Sequence, residues 1–403
     1  MFGRGLCWLV GCSLAAASGA AQASPTLRQV LDIALYRNPD ILQAQLRVDS
    51  AHGERRIADA LPNPTYLGIP GNPYQYGVSL PLDLTPERLY RTRAARQGQA
   101  ATELSRRDVV RLVTFNVRQA FYDLLLADAQ RATAREQRDI FTRLLAADSV
   151  RLRAGDIPQR DVVKTALEVA RAEGALARDE VAVHGARLAL QALMGAAAPD
   201  TGFTITGSLD STPQLTLPLD SVLPLALGQR PDLAATRALA DQGRSLTSLA
   251  AANLFPIPVA SVVYQSTPFA SGLRYAFGVS LPVPLFYWNG GERQRARAGL
   301  AAAEVSVQRT RAQIAAEVAL ALDDFRSARA LTQRYQSGLL QQSAAALESS
   351  RFAYEQGAAS LLELLDAIRT YGETRAEAYG AAHDAWVAAY ALSRAVGADI
   401  VRE

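Results

Sequence analysis

Apolar residues recur at three- and four-residue steps along most of this chain, the spacing of a helix face packed on another helix. Val110, Val113, Val117, Ala120 and Leu124 follow it. So do Leu361, Leu365, Ile368, Gly372, Arg375, Tyr379, Ala382, Trp386 and Ala389, with Arg375 the one charge in the seam. This is coiled-coil spacing. Two proline-free reaches carry it to unusual length. The first opens at Thr85-Pro86-Glu87 and ends at Ala154-Gly155-Asp156-Ile157-Pro158; the second runs from Glu292 to Gln356 and ends at Gly357-Ala358-Ala359-Ser360. The first predicts one helix of roughly seventy residues, about 100 Å long, where ordinary helices average about 11–12 residues.

Two shorter helical patterns, about Thr26 to Ala60 with a break near Pro39 and about Pro158 to Met194, together match that rod in length. They predict two short helices end to end beside one long one, antiparallel because the glycine turn joining rod to short helix is only a few residues.

The pattern changes in two places. Val259 to Tyr264 and Tyr275 to Phe286 are rich in β-branched and aromatic residues and flank a Ser/Thr/Pro/Gly turn zone, which predicts a hairpin. Thr65 to Ile69 and Tyr74 to Leu84, around Pro70-Gly71-Asn72-Pro73, predict a second. A membrane strand needs about 9–11 residues, so the first hairpin is tight. Four strands cannot close a barrel, since membrane barrels start at about eight; if these strands cross a bilayer, several chains pool them. Gly202 to Thr206 in the connector predicts one further short strand.

The same landmarks occur twice in order. Leu31-Asp32-Ile33-Ala34-Leu35 with Asn38-Pro39-Asp40-Ile41 is answered by Leu223-Pro224-Leu225-Ala226-Leu227 with Arg230-Pro231-Asp232-Leu233. Leu61-Pro62-Asn63-Pro64 is answered by Phe255-Pro256-Ile257-Pro258, Gly77-Val78-Ser79-Leu80-Pro81 by Gly278-Val279-Ser280-Leu281-Pro282, and Gly155 by Gly357. The chain is a duplication: a leader over 1–23, a first repeat over 24–195 with its hairpin at about 62–84, a linker over 196–220, a second repeat over 221–397 with its hairpin at about 256–287, and a tail over 398–403.

Composition adds the compartment. An apolar run after Arg4 leads to Ala21-Gln22-Ala23 before Ser24, a signal peptide with its cleavage site. A competing reading takes Leu9-Val10-Gly11-Cys12 as a lipoprotein signal that acylates Cys12. Cys7 and Cys12 are the only cysteines, so the exported chain is expected to hold together without disulfides. Beyond the leader no apolar run reaches about 18 residues, so any membrane crossing must use strands. A net charge of +3 implies no polyanionic partner and no nucleic acid.

Candidate chemistry is sparse. His52, His184 and His383 are far apart in sequence, in no metal-ligand spacing, and each is expected to be an exposed helix residue. No cysteine nucleophile, G-x-S-x-G elbow or P-loop occurs, so neither an enzyme nor a cofactor is expected. The sharper feature is acidic. Asp161 lies six residues after Gly155, Glu363 six after Gly357, and Asp366 three further along the same helical face. Such acids are ordinarily solvated surface charge. Were the turns the mouth of a tube, a ring of them would focus a negative field across it and disfavour anions.

The duplicated, ordered set of Asn-Pro-Asp-Ile entry, Leu-Pro-x-Pro break, Gly-Val-Ser-Leu-Pro strand and glycine tips resembles the TolC family of outer-membrane efflux factors, most closely the CzcC-type heavy-metal branch. The resemblance implies a mainly α fold with a small β part, in which long antiparallel helical hairpins form an α-barrel. It also implies a homotrimer whose pooled four strands per chain make a twelve-stranded barrel in the outer membrane, with most of the mass in the periplasm. It implies a periplasmic adaptor gripping the tips at Ala154, Gly155, Asp156, Gln356, Gly357 and Ala358, and an inner-membrane pump of the resistance-nodulation-division type. Glu363, Asp366, Asp161 and Tyr354 would line the periplasmic constriction, although Ala359 stands where the family's gate carries an arginine. The expected function is a passive export conduit for small solutes, heavy-metal cations among them. The alternatives are a periplasmic adaptor, which has one hairpin and a β-rich module this chain lacks, and a structural coiled coil, which has no use for strand hairpins.

Overall fold

The computed structural model describes residues 24–402 apart from 217, 219–220 and 255–256. The leader, Cys12 and the Phe255-Pro256 half of the second proline pair lie outside the described residues. Helix α1 (Leu27–Arg37) meets α2 (Pro39–Asp59) at Asn38, whose side chain accepts from the amides of Asp40 and Ile41 and donates to the Leu193 carbonyl. The break near Pro39 is thus a capped junction, since proline is favourable at the first helical position. Strands β1 (Thr65–Ile69) and β2 (Gln75–Pro81) follow, then α3 (Pro86–Ala154) of 69 residues and α4 (Gln159–Leu193) of 35. The 11 residues of α1, the 21 of α2 and the 35 of α4 together fall two short of α3. All three pack along it, the end-to-end arrangement the lengths required.

The second repeat has α5 (Val222–Gln229), α6 (Pro231–Ala252), β4 (Val259–Gln265), β5 (Tyr275–Ser280), α7 (Gly290–Arg334), α8 (Leu340–Glu355) and α9 (Leu361–Val396). Its rod is not continuous. A single π-turn at Tyr335–Leu339, with Gly338 at φ 148°, separates α7 from α8. Only glycine occupies that backbone region freely, so the interruption is encoded in the sequence.

The wall is four helices wide. Toward the strands it reads α2, α3, α6, α7; toward the glycine turns it reads α4, α3, α9, α8. Helix α9 has 16 buried residues among its 36, including the stacked Trp386 and Tyr390, and anchors the middle of the wall. The four strands form one antiparallel sheet in the order β1-β2-β4-β5. The second strands are shorter than expected: β2 stops at Pro81, one residue before a last cross-strand bond from Leu82 N to Pro258 O, and β5 stops at Ser280, beyond which the prolines at 282 and 284 have no ladder donors. The connector strand is also displaced. Residues 203–206 have no strand pairing and hold the segment just before α1, Thr206 N donating to Pro25 O at 3.0 Å. The short strand is instead β3 (Gln214–Leu215), paired with β6 (Val401–Arg402) of the tail.

Candidate functional site: a two-faced sheet, paired glycine tips and a buried latch

Register sorts the sheet into two faces. Tyr66, Tyr76, Val78, Leu80, Val262, Tyr264, Phe277 and Val279 are aligned on one, mostly exposed. The other carries Gln75, Gly77, Ser79, Ser261, Gln265, Gly278 and Ser280, with Leu67, Ile69, Pro81, Val259, Val263 and Ala276 its apolar exceptions. An exposed apolar face backed by a polar one is the reverse of a soluble sheet and fits lipid outside with an aqueous lumen inside. The seven residues of β4 rise about 23 Å along the strand, which at a barrel tilt of about 40° covers roughly 17 Å of an apolar band of about 25 Å, so the paired segments are shorter than the about 9–11 residues of a full crossing. Tyr74, Tyr76, Tyr264 and Tyr275 cluster near the turn end with centroids 5.3 to 6.3 Å apart, an aromatic girdle at one interface. Among the described residues no helix is long and apolar enough to cross a membrane.

At the opposite end the two glycine turns are built alike. Gly155 and Gly357 take positive φ of 85° and 72°, and the next amides, Asp156 N and Ala358 N, reach back to Arg151 O and Ala353 O at 2.9 and 2.8 Å. Each glycine satisfies the last carbonyls of a long helix, and three residues on, Pro158 and Ser360 cap the next. Ala154, Gly155, Asp156, Gln356, Gly357 and Ala358 are all exposed, and nothing lies within 4 Å of a Cβ added at either glycine.

The predicted acids do not converge within one chain. Glu363 and Asp366 are exposed on one face of α9, with Ser360 Oγ accepting from the Glu363 amide. Arg369 follows on that face and reaches across to Glu168 of α4 at 3.1 Å. Asp161 is half-buried on the first turn of α4, 3.7 Å from Lys164. Tyr354 stands apart from all three: it is buried, and its hydroxyl donates to Asp148 Oδ1 at 2.8 Å. Asp148 is fully buried, and its other oxygen accepts from Thr165 at 2.7 Å. One carboxylate therefore ties α3 to both α4 and α8 just behind the tips. Burial, and then the bond to Asp148, push the Tyr354 phenol up to about 12. The Arg151 guanidinium lies over its ring, 5.1 Å from the centroid, so the cation beside this tyrosine comes from α3 although position 359 holds alanine.

Asp148 was not among the sequence candidates, yet a signal was present. Val113, Ala120, Ala127, Ala134, Phe141 and Asp148 are spaced by heptads and all are buried, so the acid sits where the seam calls for an apolar residue. Arg375, the charge in the other seam, forms an ion pair with Glu136 on α3. His383 corrects the expectation of exposure: it is held between Asp123 at 2.7 Å and Asp384 at 2.9 Å, and although burial opposes its charge, the two carboxylates raise its pKa. His52 and His184 are exposed. Among the described residues no cluster of histidine and carboxylate groups could hold a metal.

Comparisons with known proteins agree with this geometry. Residues 72–196 and 222–398 match the family described as outer membrane efflux protein. The cobalt-zinc-cadmium resistance protein CzcC of Cupriavidus metallidurans is 26% identical over 378 residues, covering 92% of this chain and 90% of CzcC. The cation efflux system protein CusC of Escherichia coli is 28% identical over 382 residues, covering 87% and 81%. Among solved structures, CusC superposes with TM-score 0.77 at 23% identity, covering 93% of this chain and 92% of that one. The Campylobacter jejuni CmeC outer membrane channel superposes with TM-score 0.82 at 16% identity, covering 93% and 86%. With most of its length matched by the family's pattern, and with a lipid-faced sheet on a long helical wall, the chain belongs to the outer membrane efflux protein family.

Proposed function

We propose that three copies of this chain form a continuous passive conduit from the periplasm through the outer membrane. The observation that carries the reading is the open edges. Strands β1 and β5 each have one unpaired side. One flank of the wall exposes Leu42, Leu46 and Ile57 on α2 and Val181 on α4, and the other exposes Val305 and Leu320 on α7 and Phe352 on α8. Unpaired strand edges are not tolerated in lipid, and four strands are too few to close alone. Copies joined edge to edge satisfy strand and helix flanks at once, and three give twelve strands and an α-barrel twelve helices around. The exposed tips around Gly155 and Gly357 then form a ring open to a periplasmic adaptor, behind which stands an inner-membrane pump of the resistance-nodulation-division type. The reading assigns the chain no catalysis; the pump drives transport.

In this assembly Glu363 and Asp366 repeat around the axis and make the periplasmic mouth cation-selective. Heavy-metal cations are the cargo, as the names of CzcC and CusC indicate for those relatives. Unboiled gel migration and native mass spectrometry of the membrane-extracted protein test the assembly: a species of three chains is expected, and a soluble monomer sinks the proposal. Deletion of the gene and challenge with divalent metals and with drugs tests the cargo: sensitivity to drugs alone overturns the metal assignment.

A further inference from the structure

Beneath the sheet, the helix ends carry more positive charge than their own acids neutralise. Arg55 pairs with Asp59, and Arg91 with Asp83 and Glu87. Six other arginines at this level, Arg56, Arg93, Arg96, Arg293, Arg295 and Arg297, are exposed, and none has a carboxylate oxygen within 4.0 Å among the described residues; Glu54 and Glu292 are the acids closest to the junctions outside the named pairs, and the balance stays positive. All lie within about 15 Å of a strand–helix junction, at 1.5 Å per residue from the end of α2 or the start of α3 or α7. The whole chain carries a net charge of only +3, so the excess is local to this band.

The faces of the helices give its direction. On α3, Arg88, Arg91 and Gln99 bond to α2, while Gln97 and Gly98 meet α6. Both neighbours therefore grip α3 from one side, and at 100° per residue Leu89, Arg93 and Arg96 fall on the broad side turned away from them. In a curved wall that side is convex. At this level helices α2 and α7 have one neighbour each, but their antiparallel packing carries the same sense along the wall. Counting 100° per residue from the contacts of α2 with α3 and of α7 with α6 puts Arg56, Arg293 and Arg297 on the convex side, whereas Arg295, which lines the groove between α6 and α7, falls on the concave side. Directly above the band the chain exposes Leu84 at 84%, Phe286 at 97% and Trp288 at 61%, apolar and aromatic groups of the kind that sit at a bilayer interface.

From this juxtaposition we infer that the five arginines on the convex side form a collar that binds the phosphodiester headgroups of anionic glycerophospholipids in the periplasmic leaflet of the outer membrane. Guanidinium groups suit phosphate oxygens through bidentate hydrogen bonds. Their long stems reach along the wall to place the charge at headgroup depth while the aromatic shelf above enters the acyl region. The collar fixes how deep the barrel sits. Its partner is lipid because the band faces outward, lies at the membrane boundary, and pairs unneutralised cations with an apolar shelf.

The inference rests on the outer-membrane reading of the sheet, and its test separates the two. Full-length protein is reconstituted into bilayers of phosphatidylcholine alone or with phosphatidylglycerol, and co-purifying lipid is measured by native mass spectrometry. Failure to insert into either bilayer strikes at the membrane reading itself. Given insertion, phosphatidylglycerol is expected to be enriched about tenfold over phosphatidylcholine in the retained lipid, since each basic residue near an anionic surface contributes appreciably. The enrichment should fall at about 0.5 M salt, where screening is short-ranged. The variant R56Q/R93Q/R96Q/R293Q/R297Q should lose it, and R295Q should keep it. Equal retention of the two lipids by the unaltered protein overturns the inference whether or not the multiple variant folds, and so does enrichment that R295Q abolishes.

Discussion

Removing one oxygen atom tests the latch behind the tips. Tyr354→Phe keeps the ring that packs beside Leu347, Leu361 and Leu364 but deletes the hydroxyl that Asp148 Oδ1 accepts at 2.8 Å. Asp148 has no exposure to solvent, so the lost donor leaves a buried oxygen that only water entering from the adjoining cavity, which Asp148 and Tyr354 both line, can satisfy. A hydrogen bond to a charged group contributes about 1.5–3 kcal/mol, and leaving a buried acceptor unpaired costs a similar amount. In the proposed conduit this bond joins α8 directly to α3, beside the packing of α8 on α9 and the Arg151 guanidinium over the Tyr354 ring; among the 16 residues of α8 only Leu347 and Tyr354 are buried. The population of protomers with α8 released should therefore rise between about tenfold and a hundredfold. Single-channel recording in planar bilayers reads this as more frequent or longer open events, and D148N should act in the same direction. Because the phenol is pushed up to about 12, it stays protonated and keeps donating to Asp148 at every pH normally accessible to the cell. Tyr354→Phe channels that open no more often than unaltered ones, in a protein whose trimer is intact, would refute the argument that this bond holds the tips closed.

Four further outcomes are expected. Glu363→Gln with Asp366→Asn should lower cation-over-anion selectivity, measured as a shift of reversal potential toward zero in a salt gradient; an unchanged potential removes the two acids from the constriction. Gly338→Ala places a Cβ in a backbone region that costs about 1–3 kcal/mol, so the π-turn should relax toward continuous helix and hydrogen exchange over 335–340 should slow. Val262→Arg on the lipid face should lose about 2–4 kcal/mol of membrane stability, whereas Ser261→Arg on the opposite face should insert normally; urea unfolding in vesicles distinguishes them. His383, whose folded-state pKa is raised by Asp123 and Asp384, contributes stability that is fully present below the unfolded value near 6.5 and lost as pH rises through the folded value. His383→Gln should therefore narrow the stability difference between about pH 5.5 and pH 8.5.

The sequence by itself determined the elements and their order. A proline-free reach of about seventy residues with apolar residues at three- and four-residue steps reads as a long helix, and proline and glycine mark where helices stop, so both rods, both hairpins and both tips are legible from residues such as Pro86, Gly155 and Gly357. The length match between α3 and its three companions fixed their packing before any coordinates. Periodicity also marked the inner face on which Asp148 falls, but an acid at a seam position has no pattern that names its partner. Only the tertiary structure brought Tyr354 and Thr165, more than 200 and 17 residues away, to its two oxygens. It alone showed that the second rod yields at Gly338, because one glycine in a helical pattern is ambiguous until the surrounding turn is seen. The pairing of β3 with the tail and the capture of His383 by Asp123 are likewise long-range, decided by which surfaces the folded wall brings together. The local chain sets where each helix begins and ends. The contacts across helices decide which charges are buried, which are paired and which are left exposed.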